Sequence, residues 1–160
     1  LAGLEQDPLR ELAFNGIYRL NPESGEVQLL EQTQSRPNGI ALSVDERTLY
    51  VANSDENDKV WYSYEVGDRG ELSNQQVFFD VNDQDGVGAA DGMKIDVDGN
   101  IFATGPGGVW VFDPGGNHLG TIKPDEVPAN VGWGDDGSTL YMTARTGLYR
   151  IRLSTSGLVP

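Results

Sequence analysis

Pro37-Asn38-Gly39-Ile40-Ala41-Leu42, Ala90-Asp91-Gly92-Met93-Lys94-Ile95 and Ala129-Asn130-Val131-Gly132-Trp133 open three copies of one pattern. Each begins with a carboxamide or carboxylate, runs into a short apolar stretch and meets a turn. Each then resumes as a second β-rich run: Thr48–Asn53, Asn100–Thr104 and Thr139–Thr143. Apolar and polar residues alternate in several of these runs, the period of a half-buried strand. Third strands rich in aromatics follow, at Trp61-Tyr62, Val109–Phe112 and Leu148–Ile151. Glycine makes up 21 of the 160 residues and punctuates the runs rather than filling one linker. Asp98-Gly99, Gly115-Gly116 and Asp136-Gly137 supply the backbone freedom that tight hairpins need. No stretch has a sustained helical period, and residues 5–12 allow one turn at most.

Four-stranded units repeating with glycine and aromatic punctuation predict an all-β chain of β-propeller blades. Residues 15–31 read as the last two strands of one blade. Residues 38–81 and 91–123 read as full blades, and 130–153 as three strands of another. Propellers close with four to eight blades. About three blades would leave sheet edges unpaired, so the chain is expected to be a partial propeller, residues 1–160, whose N-terminal half lies elsewhere. Leu1-Ala2-Gly3-Leu4-Glu5 resembles neither a signal peptide nor a translation start, which fits a chain that begins inside a larger protein.

Composition narrows the chemistry. The formal charge is −14, with 25 acidic against 11 basic side chains. Such a surface repels phosphate backbones, so no nucleic-acid partner is expected. No apolar run approaches the roughly 20 residues of a membrane helix, so no membrane partner is expected either. Cysteine is absent and His118 is the single histidine. That removes thiolate metal sites and a cysteine nucleophile, and leaves little scope for a Ser-His hydrolase. It does not fix the compartment.

Four segments, in order, resemble the SMP-30/gluconolactonase (gluconolactonase/regucalcin-like) family, specifically its C-terminal half. They are Asp7–Arg19, Arg36–Ala41, Ala90–Asp96, and Asn130–Gly134 followed by Thr139–Thr143. The resemblance implies a propeller of about six blades, a divalent metal at the top of the central channel, and hydrolysis of sugar lactones. It places metal ligands at Asn38 and Asp91. The family's third ligand, a glutamate near the start of the full chain, has no counterpart here. Acidity and the resemblance together favour a periplasmic or secreted setting over a cytoplasmic one.

The chemistry of these residues is consistent with that role. Asn38 and Asp91 each begin an inner strand, and the starts of inner strands in a propeller converge on the channel. A carboxamide oxygen and a carboxylate form a hard donor set, suited foremost to Ca²⁺, with Mg²⁺, Mn²⁺ and Zn²⁺ left open. Asp91 would double as general base toward a water. From spacing alone, Asn38-Gly39 and Asp91-Gly92 are turn dipeptides as readily as ligands; with the ordered resemblance they are read as ligands. Asn130 is read either as a substrate contact or as a strand-start cap. Asn53 and Ser54 end a second strand and are read foremost as turn residues, with a place at the pocket mouth left open; Asp55–Asp58 is assigned to an exposed loop, and Asp80–Gly86 to a solvated acidic loop that could rim the channel. That last stretch lacks EF-hand spacing. His118 is assigned to the surface. The three tryptophans are assigned to packing between blades, with sugar stacking open for Trp133. Gly105–Gly108 lacks the Lys-Ser/Thr ending and following helix of a phosphate loop.

The function expected is metal-dependent opening of a sugar lactone such as gluconolactone to the aldonic acid, with the missing half required. It would come as a separate chain or be replaced by a second copy. The alternatives are a non-catalytic propeller scaffold, or a related propeller hydrolase acting on other esters or phosphotriesters.

Overall fold

A computed structural model describes residues 7–158, and the Leu1–Glu5 reading lies outside them. Among the described residues every regular element is a strand. The Asp7–Arg10 stretch makes one turn, with the Arg10 amide donating to the Asp7 carbonyl at 3.0 Å.

The described residues form four antiparallel sheets of two, four, four and three strands. The first pairs β1 (Ile17–Leu20) with β2 (Val27–Glu31). The second runs in order through β3 (Pro37–Leu42), β4 (Thr48–Asp55), β5 (Asp58–Val66) and β6 (Leu72–Asp80). The third holds β7 (Met93–Ile95), β8 (Ile101–Gly105), β9 (Gly108–Phe112) and β10 (His118–Ile122). The fourth holds β11 (Pro128–Gly134), β12 (Thr139–Ala144) and β13 (Gly147–Arg152). Consecutive strands are neighbours throughout, the meander of propeller blades.

The blades pack face to face because their middle strands are apolar on both sides. Side chains alternate across a strand, and here both faces are covered. In β4, Leu49 and Val51 join Ile17 and Tyr64 in one cluster, while Tyr50 and Ala52 point into the next. In β8, Ile101 and Ala103 face that same second cluster, and Phe102 faces a third with Val131, Leu140 and Met142. All five residues of β8 are buried as a result. Trp61 is 1% exposed and its ring meets Phe112 at 5.4 Å, close to perpendicular. Burying a large apolar side chain of this kind contributes about 1.5–3 kcal/mol.

Two of the three hairpins of the third sheet, β7–β8 and β9–β10, share one turn chemistry. Asp96 accepts the amides of Asp98 (3.0 Å) and Asn100 (2.7 Å) and the Asn100 side-chain amide (2.8 Å). Asp113 repeats this with Gly115, Asn117 and the Asn117 side chain. Such Asx turns replace backbone partners with a carboxylate. Gly99 and Gly116 take the positive φ that each turn requires (85° and 83°). Asp96 also accepts the Thr155 hydroxyl at 2.9 Å, and Asp96 bridges to Gly157. The segment after β13 thereby ties the fourth sheet to the third.

Candidate active site at the starts of the inner strands

β3 packs against β7, and β7 against β11. These are the innermost strands of their sheets, and Asn38, Asp91 and Asn130 stand at or just before their starts. The approach is close. A Cβ built on Gly39 would overlap the Asp91 carbonyl, and one built on Gly92 would overlap the Asn130 side chain. Residues 38–39, 91–92 and 130 therefore form one continuous row, though 92 positions separate its ends (130 − 38).

Asp91 is held from both sides by main chain. Its amide donates to the Thr104 carbonyl at 3.0 Å, and the Gly92 amide donates to the Ala129 carbonyl at 3.1 Å. Burial pushes the Asp91 carboxyl above its ordinary value, while the Gly92 amide pulls the other way. Asn38 is exposed, with its Nδ2 donating to Ser54 Oγ at 3.0 Å. An open cavity of about 810 Å³ adjoins Asn38, lined also by Arg10, Phe14, Tyr18, Arg36 and Ser54. Asn130 is exposed, and its Oδ1 accepts the Val131 amide at 2.8 Å. Among the described residues, no group of three or more His, Cys, Asp and Glu side chains is arranged to hold a metal.

Several residues prove to be other than turn or loop. Asn53 lies within β4 and is 0% exposed. Its Oδ1 accepts the Arg36 amide at 2.7 Å, and its Nδ2 donates to the carbonyl and carboxylate of Asp58 at 2.9 and 2.8 Å. It therefore pins the segment leading into Asn38. Ser54 links Asn38 to the next blade, its Oγ donating to the Ala90 carbonyl at 2.5 Å. Asp58 belongs to β5 rather than to an exposed loop, and also accepts the Tyr62 hydroxyl. The stretch after Asp80 is anchored at its start, while residues 83–86 are exposed outside any strand, as the acidic-loop reading expects. Val81 is fully buried, and Asn82 accepts the Lys59 amide.

Trp133 is not placed for a sugar. Its ring meets Phe102 at 5.1 Å, its Nε1 donates to the Ile95 carbonyl, and Gly157 lies against the ring. It is a wedge between the third and fourth sheets. His118 stays at the surface, tilted over Trp110 at 4.3 Å with its Nε2 beside the Thr121 hydroxyl.

A β-propeller with a row of oxygen-bearing side chains along its inner-strand starts is the class of protein that fold and site define. Residues 2–146 match the model of the SMP-30/Gluconolactonase/LRE-like region, and the chain belongs to that family. It is 37% identical over 163 aligned residues to a gluconolactonase of Zymomonas mobilis, covering 98% of this chain and 46% of that protein. Its structure resembles that of XC5397, a gluconolactonase from Xanthomonas campestris, with TM-score 0.81 and 31% identity, over 89% of this chain and 46% of the other. The calcium-binding protein regucalcin from Agrobacterium tumefaciens shares the fold, with TM-score 0.75 and 23% identity, over 89% of this chain and 53% of the other. The chain spans about half the length of the relatives it matches.

Proposed function

We propose that these residues form part of a lactone hydrolase that opens a sugar lactone of the gluconolactone kind to its aldonic acid. In this reading Asn38 and Asp91 hold one divalent cation, calcium foremost, and a further ligand and the remaining blades come from outside residues 1–160. The observation that supports the reading is the close approach of Gly39 to the Asp91 backbone, which brings positions 38 and 91 side by side on neighbouring blades. The family membership and the gluconolactonase relatives point the same way.

The residues fit a hard cation. An amide oxygen and a carboxylate are its preferred donors. Burial disfavours the ionised Asp91 carboxylate, and a cation offsets that cost. When bound, such an ion supplies a Lewis acid for a lactone carbonyl and an acidified water.

The chain's own contributions are positional. Asp91 takes a proton from water as the water oxygen bonds to the lactone carbonyl carbon. The ring C–O bond then breaks, and the ring oxygen leaves as a hydroxyl with that proton. A carboxylate beside a cation is a weak base, so the contribution of Asp91 is its placement. Asn130, exposed next to Gly92, presents its amide to a sugar hydroxyl.

The test is acidification of a weakly buffered gluconolactone solution by the naturally expressed polypeptide. Turnover should be abolished by EDTA and restored by calcium, and D91A should lower it by about 10²–10⁴-fold, the range for a lost general base. The uncatalysed rate in the presence of calcium, or undiminished turnover by D91A, overturns the assignment.

A further inference from the structure

The second strands of two successive blades each carry a hydroxyl near their ends that reaches the neighbouring blade. Ser54 Oγ in β4 meets the Ala90 carbonyl, just before Asp91. Thr104 Oγ1 in β8, fully buried, lies 3.2 Å from the Ala129 carbonyl, just before Asn130, and 3.1 Å from the Gly92 carbonyl. The two hydroxyls do equivalent work one blade apart, each fastening the residue ahead of a candidate site position.

Ser54 does something more. A serine hydroxyl has one proton and two lone pairs. The proton is committed to the Ala90 carbonyl, so toward Asn38 the oxygen can only accept. The Asn38 carboxamide must therefore turn its Nδ2 to Ser54, as the 3.0 Å bond records. Its Oδ1 is then the end left available for a ligand. An amide in the reverse orientation would bring two acceptors together, which is unfavourable.

We infer that Ser54 is a positioning residue for the cation site: its hydroxyl selects the orientation in which Asn38 offers oxygen, and fixes the carbonyl preceding Asp91. This inference rests on the cation reading above. Loss of an outer-shell partner of a metal ligand typically weakens metal affinity by about 10–100-fold, and that is the size of effect expected.

The experiment is calorimetric titration with calcium chloride of the naturally expressed polypeptide and its S54A, S54T, S54C and D91A variants. S54A should weaken calcium binding by about 10–100-fold, and S54T, which keeps the hydroxyl, should restore most of it. Lactone turnover by S54A should recover as calcium is raised. S54C, similar in size but a weak donor, should also bind calcium more weakly, and it serves if S54A does not fold. Wild-type affinity in S54A or S54C, or equal loss in S54T and S54A, overturns the role of Ser54. If D91A binds calcium as the wild type does, the cation site itself fails and this inference with it. If D91A loses calcium while S54A and S54C keep it, the site stands and Ser54 alone is excluded.

Discussion

Gly39 approaches Asp91 so closely that a methyl group on residue 39 would occupy the space of the Asp91 carbonyl. Gly39 is not among the glycines with positive φ, so what it supplies is the absence of a side chain rather than an unusual backbone. G39A should push β3 away from β7. Overpacking of this kind costs about 1–3 kcal/mol. The expected result is a lower melting temperature, and, where the proposed cation site makes calcium raise the wild-type melting temperature, loss of that rise, read by thermal unfolding with and without calcium chloride.

N130A separates substrate contact from cation binding. With its Oδ1 on the Val131 amide, Asn130 contributes at most a hydrogen bond to substrate. One such bond is worth about 1 kcal/mol, or roughly fivefold. The KM for gluconolactone should rise by that factor while calcium affinity stays at the wild-type value, measured by steady-state kinetics and titration side by side.

N53A tests the buried anchor. Removing this side chain deletes its hydrogen bonds to the Arg36 amide and to Asp58. Hydrogen bonds of this kind contribute about 0.5–1.5 kcal/mol each. The denaturant midpoint should fall accordingly with an unchanged slope, and calcium affinity should fall with it because Asn38 follows the released segment.

Tyr64 carries a pH dependence of known sign. Burial pushes its phenol up to about 12, while hydrogen bonds from Gln34 and Gln75 pull the other way. The unfolded value is about 10. The folded state therefore holds its proton more tightly, and this stabilisation is fully present below about pH 10 and lost as pH rises toward 12. Y64F should be less stable at neutral pH by about 1–3 kcal/mol, because the buried Gln34 amide loses its acceptor. Its stability should also decline less between pH 10 and 12. Denaturant midpoints across that window measure both effects.

The strands and their grouping were legible because local features dictate them. Asp98-Gly99 and Gly115-Gly116 specify turns from within a few residues, and the alternation around Tyr50 and Phe102 specifies which side chains face each blade interface. Asn53 and Ser54 were not legible as anchors. Their partners lie 17 residues away at Arg36 and 36 away at Ala90, separations that leave no mark on a local pattern. The two residues looked like a turn because asparagine and serine usually are one. Strand parity accounts for the position of Trp133. An offset of three from Asn130 puts it on the opposite side of β11, and there it packs against Phe102.

The fastening of the row by carbonyls and amides has a corollary. Asp91 is located by the Thr104 carbonyl, and Gly92 by the Ala129 carbonyl. None of these bonds depends on the identity of the side chain at 91 or 130. Substituting the side chain at either position therefore leaves the main-chain scaffold that aims it intact, so new chemistry at this row requires a change of residue and no change of fold.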